Sequence, residues 1–467
     1  MTHLFSSCIM FPLKPTFSVN RNYRRSFAVL PSAFSLLIGL LCTCGTLNAQ
    51  PTTWWKGNLH THTLWSDGDD YPEMVVEWYK TNGYHFLVLS DHNITQEGEK
   101  WTPITTNPAS VAALDKYLER FGPNWVEQQT MEGTQMVRLK ALREFRRKFE
   151  VPEKFLLMMG EEISATAGKI PVHIGAVNIR KELEPIKGTN VLEVMQQNID
   201  AVLQQRKATG RRMFPHVNHP NFNWAITAED LMQVRGDRFF EVYNGHPAVR
   251  NDGDSVHPST ERMWDITLAF RLERLHLPLL YGLAVDDSHN YRGTNLTLSN
   301  PGRGWVMVRS LRLLPEAIAA ALEAGDFYAT TGVRLTELTS GTNKLSLQID
   351  AQSGVSYVTQ FIGTRIDFDD RSEPVQSTNS LPVTRSYSST IGEVFAQVEG
   401  ITPSYTFRGD EIYVRAKVIS SKPKVNGFSN NEVEEAWTQP VLVANRQIHQ
   451  HFSGSRVRSS RTSGSRK

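Results

Sequence analysis

His60 and His62 stand two residues apart after a short apolar approach, and Asp67 follows in a turn of Ser, Asp and Gly. In extended chain, side chains at i and i+2 share a face, so both imidazoles can reach one cation. An isolated His-x-His arises often by chance; here the pattern repeats. Phe86-Leu87-Val88-Leu89 runs into Ser90-Asp91-His92, and Phe155-Leu156-Leu157-Met158-Met159 into Gly160-Glu161-Glu162. His173 lies inside Val172-His173-Ile174-Gly175-Ala176-Val177. Met213-Phe214-Pro215 leads to His216-Val217-Asn218-His219-Pro220, and the run from Leu279 to Val285 ends in Asp286-Asp287-Ser288-His289. Imidazole with carboxylate and no thiolate suits zinc, manganese or ferrous iron. Such a metal lowers the pKa of bound water from about 15.7 towards about 7, and two metals can hold both oxygens of a displacement. The chain has no Gly-x-Ser-x-Gly elbow and no P-loop lysine motif, so metal-assisted hydrolysis is the chemistry these residues support.

The apolar runs read as buried strands of an α/β fold, and such folds gather their active sites at the carboxyl ends of strands. Helical spacings fill the gaps: Pro72 with Met74, Val75 and Trp78; Leu139, Leu142 and Phe145; Val191, Val194, Met195, Ile199 and Val202; Met263, Ile266, Thr267 and Phe270; Leu314, Ile318 and Leu322 around Pro315. The alternation predicts a parallel α/β barrel over residues 50–335. Residues 95–135, rich in Trp, Pro and Gln, are expected to be a surface elaboration, with a lid over the site as the alternative. From 336 to 445, alternations such as Leu345, Leu347 and Ile349, or Ile412, Val414, Ala416 and Val418, predict a small all-β, sandwich-like domain. Residues 446–467 are Ser- and Arg-rich without acids and are expected to be disordered.

The order of these motifs resembles the polymerase and histidinol phosphatase (PHP) family of metal-dependent phosphoesterases over roughly residues 54 to 335. The resemblance implies a distorted (βα)7-type barrel with two to three divalent transition metals (Zn, Mn or Fe) at its mouth. It implies one metal on His60, His62, Glu162 and Asp287, a second sharing Glu162 with His173 and His219, and a third on Asp67, His92 and His289. Glu162, Asp67 and His289 are the residues it sets nearest the reaction. Glu162 is chosen over Glu161 by its spacing from Gly160, His219 over His216 because Pro220 follows, and Asp287 over Asp286 because it stands two before His289. The displaced neighbours, with Asp91 and Glu241, are expected as hydrogen-bond partners of ligands. His3, His85, His246, His257, His276, His449 and His451 match no motif. Arg303, in Pro301-Gly302-Arg303-Gly304-Trp305, could meet a substrate phosphate, since a guanidinium can grip two oxygens; a plain surface arginine is the alternative.

No acidic residue precedes Asp67, while Lys14, Arg21, Arg24 and Arg25 lead into an apolar run ending near Leu47-Asn48-Ala49. This predicts a cleaved export signal over residues 1–49 and a periplasmic or extracellular protein, with a retained membrane anchor as the alternative and no membrane span in the mature chain. Cys8, Cys42 and Cys44, the only cysteines, lie in that segment, so the mature chain must rest on its core rather than on disulfides. The net charge of +2 turns slightly acidic without the leader, which gives no strong nucleic-acid signature. The expected substrate is a small phosphate ester or nucleotide. The alternatives are hydrolysis of a carbamate, amide or ester bond, a 5′–3′ exonuclease, and a non-catalytic metal- or glycan-binding protein. The C-terminal β region could contact a glycan or another protein.

Overall fold

The computed structural model describes residues 52–443 except 106, 294, 377–380 and 430; the expected export signal, its cysteines and the basic tail lie outside the described residues. Strand β1 (Thr53–Asn58) leads to α1 (Pro72–Thr81), which Pro72 opens at its first turn. β2 (Phe86–Leu89) is buried along its whole length. An excursion then forms β3 (Lys100–Pro103), α2 (Pro108–Phe121), β4 (Gln128–Met131) and β5 (Thr134–Leu139), whose strands make a separate sheet in the order β3-β5-β4. Leu139 therefore belongs to a strand, and the helix expected around it, α3 (Leu142–Phe149), starts later. Alternation resumes with β6 (Leu156–Ala167), β7 (Ile170–Val177), α4 (Val191–Thr209), β8 (Phe214–Val217), α5 (Ala228–Gln233), β9 (Phe239–Asn244), α6 (Thr260–Glu273) and β10 (Tyr281–Val285). β11 (Trp305–Ser310), α7 (Pro315–Ala324) and β12 (Phe327–Thr330) complete this part.

The result is a mixed α/β fold around one large sheet running β10-β9-β8-β7-β6-β2-β1-β11-β12. β1, β2 and β6 are parallel, as are β8, β9 and β10, but β7 is antiparallel to both its neighbours and β11 to β1. The parallel barrel expected from the alternation is thus corrected twice: the two residues between β6 and β7 allow only a hairpin reversal, and the described sheet is not closed. Beyond the strands, the segments that follow β1 and β10 meet in a Thr61–Ser288 bridge, where His62 N–H donates to Ser288 O (3.0 Å) and Asp287 N–H to His60 O (3.1 Å). Gly57 sets how closely β1 and β2 approach, since a Cβ there would lie 2.1 Å from the Phe86 ring.

The remaining strands are β13 (Leu335–Ser340), β14 (Lys344–Ile349), β15 (Tyr357–Arg365), β16 (Ser372–Glu373), β17 (Ser386–Tyr387), β18 (Glu393–Glu399), β19 (Ser404–Thr406), β20 (Glu411–Pro423), β21 (Val433–Thr438) and β22 (Val441–Leu442). β13-β14-β19 form a small sheet that shares a core with β15 and β20 through Leu338, Leu347, Phe361 and Val414. These strands do not stand apart: β21 pairs with β12, so β21, β20, β15 and β18 extend the large sheet. Buried Arg415 on β20 grips Asp265 of α6 at 2.9 and 2.7 Å, and Tyr413 Oη donates to the same carboxylate at 2.8 Å. Among the described residues no helix is long and apolar enough to cross a membrane.

Candidate metal centre

His60 and His62 leave the end of β1, and the extended backbone there turns both rings to one side. Their Nε2 atoms lie 3.1 Å apart. Asp287 Oδ1 sits 3.2 and 3.1 Å from them, and Glu162 Oε2 3.3 and 3.4 Å. The two imidazole nitrogens thus face one oxygen of each carboxylate at 3.1–3.4 Å, and His60, His62 and Glu162 have the spacing to hold one ion. Their triangle, with edges of 3.1, 3.3 and 3.4 Å, lets an ion just off its plane lie about 2.0 Å from each corner, the bond length zinc takes to nitrogen and oxygen. The donor set therefore fits a divalent transition metal by both chemistry and size.

Glu162 is the hub of the rest. Its Oε1 lies 3.0 Å from His173 Nδ1 and 3.0 Å from His219 Nε2, and its Oε2 2.8 Å from His92 Nδ1. β6 runs on through Glu161 and Glu162 to Ala167, so the glutamates lie within the strand, where alternation sends them to opposite sides. A third group faces outward. Asp67 lies 3.5 Å from His62 Nδ1, 3.5 Å from His92 Nε2 and 3.3 Å from His289 Nε2, and its side chain is 55% exposed. The centre opens to solvent at Asp67. All nine residues expected as metal ligands thus converge, and three groups of them have the spacing for an ion. Unlike the expected partition, His92 reaches Glu162 as well as Asp67.

The electrostatics favour cations. Burial alone would raise Glu162 and Asp287, but the surrounding imidazoles outweigh it and hold both well below the usual carboxylate range. Conversely, burial would lower His92, yet Glu162 and Asp67 push it up to about 11. Two of the residues involved have left-handed backbones, His219 at φ 24° and Asp287 at φ 48°. Non-glycine residues hold such conformations at a cost and concentrate at functional sites.

Around the donors lies a hydrogen-bonded support. Glu241 Oε1 is 2.7 Å from His60 Nδ1, which orients Nε2 inward, and Glu241 Oε2 accepts from His219 N–H at 2.8 Å. Asn218 and Asn244, not anticipated from the sequence, donate to Glu162 Oε1 at 2.8 Å and to Glu241 and Asp287 at 2.8 and 3.1 Å. Their spacing beside His219 and Glu241 was the only available signal, and asparagine at strand ends is common. Asp91 fixes the His60–Asp67 loop by accepting from Thr63 N–H and Ser66 Oγ, both at 2.7 Å. Asp286 instead faces the 302–304 turn and Tyr79. Glu161 lies off the centre and accepts from Leu183 N–H at 2.9 Å, while burial pushes it up to about 8. His216 is buried over Gly175, where a Cβ would be 2.1 Å from its Nε2, and stands 3.6 Å from Glu241.

Arg303 is not presented to a substrate. It is 1% exposed, its guanidinium donates to the carbonyls of Asn426, Gly245 and Asn295, and it lies over the Phe428 ring. The glycines on either side let its backbone tuck under these loops, so the expected phosphate contact gives way to a structural tie.

No protein-family model and no curated protein matches the chain. Among solved structures it is similar to a two-domain protein containing a predicted PHP-like metal-dependent phosphoesterase from Bacteroides vulgatus ATCC 8482, at 14% identity over 84% of this chain and 95% of that one, with a TM-score of 0.34. It is also similar to a candidate metal-dependent phosphoesterase from Bifidobacterium adolescentis ATCC 15703, at 15% identity over 50% of this chain and 87% of that one, with a TM-score of 0.26.

Proposed function

We propose that this chain is an exported PHP-type metal-dependent phosphoesterase acting on a small phosphate ester. The observation that supports this most is that Glu162 and Asp287 each set one oxygen 3.1–3.4 Å from the paired His60 and His62 nitrogens, while Glu162 also meets His92, His173 and His219 within 3.0 Å. The metals these residues would hold supply Lewis acidity and a hydroxide nucleophile at neutral pH. The chain's own part is positional. Glu162 ties the segments after β2 and β8 and the middle of β7 to one carboxylate, through His92, His219 and His173. Glu241 and Asn244 fix the tautomer of His60 and the orientation of Asp287. Asp67 stands at the open face, where a substrate enters beside His289. The strand ends, with those of β1 and β10 met at the mouth by the Thr61–Ser288 bridge, we read as a distorted barrel. The C-terminal strands, which extend the main sheet, are the surface we assign to a glycan or protein partner. The residues before Gln50 we assign to export.

The test is elemental analysis of the purified mature protein followed by hydrolysis assays over phosphomonoesters, phosphodiesters, short oligonucleotides and carbamic or carboxylic esters. At least two equivalents of transition metal and turnover of a phosphate ester are expected. No metal uptake from added Zn or Mn overturns the metal centre. Turnover confined to carbamic or carboxylic esters replaces the phosphoesterase reading with hydrolysis at a carbonyl carbon.

A further inference from the structure

His246 matches none of the ligand motifs, yet the fold brings it to the mouth of the centre. Its ring stands edge-on to His289 at 5.4 Å and to Phe222 at 6.3 Å, and Phe222 in turn packs on His219 at 5.1 Å. The turn that carries it is tightly pinned. Asn244 Oδ1 accepts from His246 N–H at 2.8 Å, and the same Asn244 amide donates to Glu241 and Asp287. Gly245 N–H donates to Val285 O at 2.9 Å, and a Cβ at Gly245 would lie 2.7 Å from Asp286 O. His246 is therefore held in place through residues that also hold the centre.

The ring's tautomer follows from its hydrogen bonding. Ala248 N–H donates to His246 Nδ1 at 3.1 Å. A backbone amide can only donate, so Nδ1 is an acceptor and the proton sits on Nε2. No protein group among the described residues accepts from that Nε2–H. A half-buried, unpartnered donor thus stands beside His289, with Phe222 as an apolar wall next to it. The mouth's other groups are ligand imidazoles and the Asp67 carboxylate, so a neutral donor here adds something they lack.

We propose that His246 is a further substrate-contacting residue, whose Nε2–H binds an oxygen of the phosphoryl group at the centre, with Phe222 lining the substrate's path. This rests on the phosphoesterase reading for its ligand class, and inorganic phosphate is the probe. Binding to the metal-loaded protein is measured by calorimetry in the parent, His246→Phe and His246→Gln, with metal content determined for each. Phenylalanine keeps the ring and removes the donor; glutamine's amide N–H falls near the position of Nε2. A hydrogen bond to a charged group is worth a factor of about ten or more. His246→Phe should therefore weaken phosphate binding at least about tenfold, His246→Gln should stay within about threefold of the parent, and metal content should not change. The histidine ring nitrogens of the parent, followed by NMR and assigned with His246→Gln, should show an unprotonated Nδ1 and an Nε2–H that shifts on adding phosphate; this readout needs no folded phenylalanine variant. Equal phosphate affinity in parent and His246→Phe, no phosphate binding by the parent, an unmoved Nε2 signal, or loss of metal from His246→Phe would each overturn the assignment. Failure of the two readings is separable: a parent that hydrolyses no phosphate ester while His246→Phe still weakens phosphate binding removes the activity and keeps the contact.

Discussion

Two buried places in this chain concentrate charge, and they neutralise it in different ways. Beneath the C-terminal strands, Asp265 and Glu261 meet Arg415 and Lys417, so each carboxylate has a guanidinium or ammonium within reach. At the mouth of the α/β part, the polar partners of Glu162 and Asp287 are imidazoles and amides. A buried carboxylate is costly unless a cation compensates it. In the first place the sequence supplies the cation; in the second it supplies only the donors that would hold one. The contrast separates a structural ion pair from a metal centre without reference to any relative.

The strongest way to break this comparison is to remove the shared carboxylate. Glu162→Gln keeps the shape and deletes a charge that the cations need. Metal affinity should fall by more than about 100-fold, beyond the usual cost of losing an outer partner of a ligand, and activity should vanish while circular dichroism stays the same. Glu161→Gln is the control: burial raises that carboxyl to about 8, so it is protonated at neutral pH and glutamine imitates it closely. Elemental analysis and turnover of the two variants decide the matter, and a reversed order would mean that the wrong glutamate has been assigned to the centre.

At the other place the expected effect is on folding. Arg415→Met leaves Asp265 buried with Tyr413 but without its guanidinium, and breaking a buried pair costs about 3–5 kcal/mol. Urea denaturation should show that loss, whereas metal content measured well below the transition should not change. Replacing Asp265 by Leu in the same variant should recover much of the stability, because no uncompensated charge remains. If Arg415→Met strips the metal without destabilising the fold, the two places are not independent.

A smaller effect tests the support around the ligands. Glu241→Gln keeps the size but weakens the bond to His60 Nδ1 and the grip on His219 N–H. Metal affinity should drop about 10–100-fold, less than for Glu162→Gln, as followed by competition with a chelator. An unchanged affinity would show that β9 needs no anionic partner for the ligands.

How much of this could be read from the chain follows from the range of each interaction. The clustered residues were legible because each follows a local apolar run, so His60, His92, Glu162, His219 and Asp287 carry their context within a few residues. Glu241 and Asn244 were weakly legible or not at all, since a strand-end acid or amide is ordinary until its distant partner is known. The reversal at β7 and the open sheet escaped because periodicity reports burial, not strand direction. The joining of β21 to β12 depends on pairing across about a hundred residues, which no local pattern encodes. Arg303 was misplaced for the same reason: the carbonyls that hold it come from residues 245, 295 and 426.

The smallest expected effect concerns a third solution to burying a carboxylate. Glu73 on α1 is fully buried and has neither a metal group nor a close guanidinium; Tyr117 Oη and Trp125 Nε1 donate to its Oε1 at 2.7 and 2.8 Å. Burial raises it to about 7, with those two bonds and Lys140 holding it from going higher. It therefore keeps its proton in mildly acidic solution. The folded value lies above the unfolded value of 4.5, so the folded state binds the extra proton between the two. Its stabilisation is complete below about pH 4.5 and is lost as pH rises through about 7. Tyr117 and Trp125 belong to the excursion that packs on Trp65 beside the Asp67 loop, so the clasp couples that excursion to the mouth of the centre. Urea denaturation at pH 5, 6, 7 and 8 should show the parent losing at most about 3 kcal/mol relative to Glu73→Gln over this range. Measuring the difference between the two proteins cancels other groups that titrate nearby, such as Asp237. Parallel profiles would mean that Glu73 is ionised in the folded chain, with Lys140 as its compensating cation, and the excursion would then be held by the same kind of pairing as Asp265 and Arg415.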